Sequence, residues 1–111
     1  MKTVADYAHF EALDIRVGVI TNVEDSLTKK PTYRLTIDFG PDIGIYKSCG
    51  AYKNYPKESL LGKQVICVVN FGPKKMGPET SDVLVLGVPN ENGETIYITP
   101  QAPVIKGVAV F

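Results

Sequence analysis

The sequence is short of the residues that chemistry usually needs. Its 111 residues include one histidine and two cysteines. His9 lies in Asp6-Tyr7-Ala8-His9-Phe10-Glu11-Ala12-Leu13 with no acid or nucleophile at a suggestive spacing, and it reads as a surface helix residue. Cys49 and Cys67 sit in separate apolar strand patterns, with no second pair to complete a metal site. Both read as reduced, buried thiols, a disulfide between them being the alternative. Cys49, next to Ser48, is the one conceivable nucleophile, but the lone histidine is remote, so inert packing is the reading. No glycine-rich phosphate loop and no nucleophile beside a base is present. These absences argue against an enzyme: no catalytic residue, metal or cofactor is expected. No stretch approaches the ~20 apolar residues of a membrane helix. The opening Met-Lys-Thr-Val-Ala-Asp lacks the apolar run of a signal peptide, so the expected location is the cytoplasm, with no membrane partner.

Net charge is also missing: twelve basic residues balance twelve acidic ones. A neutral molecule is a poor candidate for a polyanionic partner unless its charge is segregated, and here it is. From Lys29 to Lys75 there are nine basic residues against three acidic, whereas both flanks are net acidic. Such segregation creates a local positive field if the fold gathers the lysines on one face. Scattering around the surface is the alternative. With 44% hydrophobic and 22% charged residues the composition is that of a globular protein, and a single domain over residues 1–111 is expected.

Residues 6–13 read as a short helix that Asp6 caps, with Phe10 and Leu13 on one face. Ile15, Val17 and Val19 then alternate as a half-buried strand does, and Gly18 within it suggests a bend or a close backbone approach. After a polar connection, Tyr33, Leu35, Ile37 and Phe39 mark a second strand, and Ile43 to Ser48 a third. Pro56 and Gly62 bracket a short helix whose Leu60 and Leu61 should pack inward. Gln64 to Val69 is a fourth strand, apolar nearly throughout and so buried on both faces. Val83 to Val88 is a fifth. Asn92-Gly93 marks a tight hairpin turn into Thr95–Thr99.

Three strands, a short helix and two more strands are the order of an all-β, five-stranded OB-fold barrel. The N-terminal helix and the apolar tail, Val104 to Phe111, have no barrel position to fill. Together with strand 95–99 they are expected to build a homodimer interface, since an exposed apolar tail is a liability unless covered.

The connection between strands four and five, Asn70-Phe71-Gly72-Pro73-Lys74-Lys75-Met76-Gly77-Pro78, carries two Gly-Pro pairs, which terminate strands. Lys74 and Lys75 are held between them. This is either a rigid presentation of charge or an ordinary solvated connection.

The sequence resembles the tRNA-binding domain family, and within it the CsaA group of export-related chaperones. The matching stretches are Phe10-Glu11-Ala12-Leu13-Asp14-Ile15-Arg16-Val17-Gly18, Ile37-Asp38-Phe39-Gly40, Gly62-Lys63-Gln64-Val65-Ile66 and, centrally, Val68-Val69-Asn70-Phe71 with Pro73-Lys74-Lys75-Met76 and Ser81-Asp82-Val83-Leu84. The resemblance implies an OB-fold core, homodimerisation through the terminal extensions, and RNA contacts at Asn70, Lys74, Lys75 and Ser81. Lysines neutralise phosphates with counterion release, and Asn and Ser side chains hydrogen-bond to sugar or base edges. Phe71, Met76 and Tyr52 are candidates for an apolar cleft that takes unfolded or export-bound polypeptides, as a chaperone would. Tyr33 reads as core. The family loop often carries a further basic residue where Gly77 stands, and arginine is frequent where this chain has paired lysines. Lysine is a point charge and not a bidentate fork, which shifts weight toward the chaperone reading. The alternative is a dedicated structure-specific tRNA-binding cofactor without a chaperone role.

Overall fold

A computed structural model describes residues 1–111. Its elements are α1 (Tyr7–Glu11), β1 (Ile15–Asp25), β2 (Tyr33–Asp38), β3 (Ile45–Gly50), α2 (Lys57–Leu60), β4 (Gln64–Val68), β5 (Lys74–Met76), β6 (Glu79–Ser81), β7 (Leu84–Val85), β8 (Gly87–Pro89) and β9 (Thr95–Tyr97). The main sheet is antiparallel, with order β3-β2-β1-β4-β7. Its two edges come together without a regular ladder. Asp82 N–H donates to the Lys47 carbonyl at 2.7 Å, Lys47 N–H to the Asp82 carboxylate at 3.1 Å, and Cys49 N–H to Ser81 Oγ at 3.2 Å. The result is a nearly closed five-stranded barrel with α2 between β3 and β4, as an OB-like fold requires.

The long first strand serves the barrel by changing the face it buries. Ile20 and Val23 belong to the core cluster with Leu35, Ile37, Phe39, Tyr52, Leu60, Val65 and Cys67. A bulge between Ile20 and Asn22 keeps both residues inward despite their odd spacing. Gly18 allows the wall to curve: a Cβ there would stand 2.7 Å from the Phe39 ring and press on Ile37 as well. The alternating Ile15 and Val17 are buried outside that cluster. At these residues the edge of β1 not used by β4 is taken by the tail, with Val17 N–H donating to Val108, Gly107 N–H to Val17 and Val110 N–H to Ile15.

Several local expectations are refined. Asp6 does cap α1, accepting from Ala8 N–H at 2.9 Å, but no residue of that helix is buried. Only Leu60 of the leucine pair packs inward; Leu61 is the C-cap, where the backbone leaves the helix for an extended conformation, and is 48% exposed. Strand three starts at Ile45 and not at Ile43, which lies in the turn after Gly40. The presumed fifth strand is split into β7 and β8, and β8 leaves the barrel to pair with β9. Asn92-Gly93 sits in a longer loop than a two-residue turn, closed by Asn90, whose side chain accepts from Asn92 and Glu94 N–H groups. Both cysteines are free and buried.

Candidate nucleic-acid interface

The segment that the two Gly-Pro pairs mark is itself a β-hairpin, and not an irregular connection. Strands β5 and β6 pair Lys74 with Ser81, Lys75 with Thr80 and Met76 with Glu79. Gly77, at φ +61°, and Pro78 form its two-residue turn, a positive-φ glycine followed by a residue locked at negative φ. The second Gly-Pro pair is therefore the turn and does not end a strand. Because side chains alternate across a strand, Lys74, Met76, Glu79 and Ser81 share one face while Lys75 and Thr80 share the other. The two lysines are adjacent in sequence but point to opposite sides. Both are exposed, and neither joins any ion pair.

The hairpin is fixed at its turn end by Glu79, which pairs with Met76 and is 5% exposed. Its carboxylate accepts from Arg34 Nη1 at 3.1 and 3.3 Å, from Ser26 Oγ at 3.4 Å and from the Cys49 thiol at 3.7 Å. Arg34 also reaches Glu24 at 2.9 Å. That hydrogen bond and its charge raise Arg34 above its ordinary value, and Arg34 in turn lowers Glu24. Burial pushes the Cys49 thiol up, so it remains a neutral donor to the carboxylate. Of this cluster only Cys49 was singled out from sequence, as an inert thiol; Arg34 and Glu79 lie 45 residues apart, and no local pattern joins them.

The cluster also corrects the charge reading. Arg34 is neutralised by Glu24 and Glu79, while Lys53 and Lys57 both reach Asp25 at 3.2 Å. All three acids lie outside the basic stretch. What remains uncompensated is Lys29, Lys30, Lys47, Lys63, Lys74 and Lys75. Two clefts border the hairpin. One, of about 320 Å³, is lined by Phe71, Lys74, Met76, Ser81, Asp82 and Leu84 among others. The second, of about 390 Å³, lies between the Thr28–Thr32 loop and Met76-Gly77-Pro78, so Lys29 and Lys30 do stand beside the hairpin.

The residues singled out from sequence divide accordingly. Lys74, Met76, Phe71 and Ser81 come together around the first cleft, with Phe71 60% exposed. Ser81 is mostly buried: its Oγ accepts from Cys49 N–H, donates to the Val83 carbonyl at 3.1 Å and lies 3.3 Å from Ser48 Oγ. Asn70 spans to the N-terminal segment, accepting from Asp14 N–H at 2.8 Å and donating to the Ala12 carbonyl at 2.9 Å. Tyr52 is 3% exposed within the barrel core, and burial pushes its phenol up to about 12; its ring offers no surface to a peptide. Tyr33 is core, as expected, its hydroxyl donating to the Tyr55 carbonyl at 2.8 Å.

Comparison with known proteins concerns the chain as a whole. The family described as "Putative tRNA binding domain" matches residues 15–109. The methionine–tRNA ligase of Methanothrix thermoacetophila is 32% identical over 110 residues, which cover 98% of this chain and 16% of that protein. The chain thus spans about 16% of the length of the curated relatives it matches. Among solved structures, the chaperone CsaA of Bacillus anthracis superposes with TM-score 0.91 at 35% identity, covering 98% of this chain and 100% of that one. The CsaA chaperone protein of Picrophilus torridus gives TM-score 0.91 at 38% identity, over 97% and 100%.

Proposed function

Since the chain belongs to the tRNA-binding domain family, we propose that it binds tRNA through the β5–β6 hairpin, as a non-catalytic module working in the cytoplasm. One observation carries this reading: two unpaired lysines stand on a short hairpin that a buried carboxylate next to its turn locks to the barrel. A rigid hairpin presents its charges without ordering them on binding, so less affinity is lost to entropy. Lys74 and Lys75 neutralise phosphates on either side of the hairpin. Asn70 and Ser81 hold the platform in shape, since their polar atoms are already engaged. Titration of tRNA into the wild type and the Lys74→Ala/Lys75→Ala variant tests the assignment. Affinity should fall by on the order of tenfold or more at 0.1 M salt, each lost phosphate contact counting about fivefold there. Equal affinity for both proteins refutes it.

A second reading rests on exposed apolar surface. Phe71 and Met76 line the cleft beside Lys74, and the two CsaA structures are of proteins described as chaperones. A CsaA-like chaperone would hold unfolded or export-bound segments there. Suppression of aggregation should be weakened by Phe71→Ser and Met76→Ser; equal protection by all three proteins removes the cleft from the account. The termini supply a third element. Tyr7, Phe10, Val88, Ile98, Val104, Ile105 and Phe111 are large apolar residues left exposed on α1, around the β8–β9 hairpin and on the tail. A homodimer through these segments would cover them. Sedimentation at micromolar concentration should give a dimer; a monomer overturns the proposal.

A further inference from the structure

The two clefts along the hairpin share a wall, and that wall is Met76. One has Phe71 and Lys74 on its rim; the other has Lys29 and Lys30. Met76 lines both, so the clefts adjoin at Met76, on the hairpin face that carries Lys74, and together they outline a track; Lys75 lies on the opposite face. The far wall of the track is fixed. Ser26 N–H donates to the Thr32 carbonyl at 3.0 Å, the Thr28 and Thr32 hydroxyls meet at 2.7 Å, and Thr28 N–H donates to Ser26 Oγ at 3.2 Å. Ser26 also donates to Glu79, the residue that anchors the hairpin. One buried carboxylate therefore ties both walls to the barrel.

The track has the chemistry of an unpaired polynucleotide. It offers an exposed aromatic ring at one end, a polarizable thioether at the centre, and free cations at both ends. The acids bordering it are already engaged: Glu79 by Arg34 and Asp82 by Lys47 N–H. Stacking of a base on an aromatic ring and neutralisation of successive phosphates are the two terms by which single-stranded RNA is held without sequence preference. We infer that a single-stranded segment of RNA lies along this face, from Phe71 and Lys74 across Met76 to phosphate contacts at Lys29 and Lys30. The inference rests on the hairpin being the RNA contact, and it adds a second wall that the family resemblance did not assign.

The test compares three proteins with a fluorescent single-stranded oligoribonucleotide across a salt series: wild type, Lys29→Ala/Lys30→Ala, and Lys74→Ala. On single strands each lost phosphate contact lowers the slope of log K against log salt by about 0.7. The Lys29→Ala/Lys30→Ala protein should lose about 1.4 from the slope, and on the order of 25-fold in affinity at 0.1 M salt. Circular dichroism confirms that these exposed substitutions leave the fold intact. If only Lys74→Ala weakens binding, the second wall is wrong and the hairpin reading stands. If no variant weakens binding, the hairpin reading fails with it. Displacement of the RNA by an unfolded acidic polypeptide but not by unlabelled RNA would assign the track to peptides and overturn the inference.

Discussion

Replacing Glu79 with glutamine removes one charge from the joint where the hairpin, the Ser26–Thr32 loop and the barrel wall meet. The substitution keeps the side chain's shape and one acceptor oxygen, so it isolates the charge. Removing one partner of a buried ion pair costs about 3–5 kcal/mol, because the other charge is left without compensation. Here Arg34 keeps Glu24 at 2.9 Å, and the amide oxygen still accepts, which brings the expected loss to about 2 kcal/mol. Arg34 has little capacity to recover it elsewhere, since its Nε is already buried without a partner. Urea unfolding followed by circular dichroism measures the change. With a urea slope of about 1.5 kcal/mol/M, the midpoint should fall by about 1.3 M with the slope unchanged. Glu24→Gln, on the exposed side of the same arginine at 42% accessibility, should move the midpoint far less. Equal midpoints for Glu79→Gln and the wild type would refute the idea that this carboxylate fixes the hairpin.

Gly18→Ala should destabilise by about 1–3 kcal/mol in the same assay, because the new methyl group overpacks the Phe39 ring and Ile37. Wild-type stability would show that the wall relaxes freely there. Asn70→Ala should cost about 0.5–1.5 kcal/mol and expose the α1 amides to faster hydrogen exchange, since Asp14 N–H and the Ala12 carbonyl exchange a side-chain partner for water. Unchanged exchange would return Asn70 to a direct role in binding. Burial pushes the Cys67 thiol from 9.0 up to about 12, so the folded state holds a proton that the unfolded chain releases. That contribution is complete below pH 9.0 and is lost as pH rises toward 12, amounting to about 4 kcal/mol over the interval. Cys67→Val should therefore unfold at higher pH than the wild type in an alkaline titration, and an identical midpoint would contradict this.

The barrel was legible because its signals are local and repeated. Alternation marked the strands, Asp6 announced a cap, and Gly18 in a strand announced the close approach to Phe39. The misread features depend on partners distant in sequence. A Gly-Pro pair that ends a strand looks the same as one that turns a hairpin, and only Glu79 reaching Arg34 across the barrel decides between them. Tyr52 carries the same ring whether buried or exposed, and its place in the core follows from the path of the chain after β3. Basic residues were countable in the sequence, but Glu24, Asp25 and Glu79 determine which of them stay free.

Lysine footprinting by amine acetylation and mass spectrometry, with and without bound tRNA, addresses the central claim most directly. Lys74 and Lys75 should be protected by tRNA, while Lys53 and Lys57, already paired with Asp25, should keep the reactivity they have in the free protein. Protection spread evenly over the surface, or sparing Lys74 and Lys75, would contradict the account.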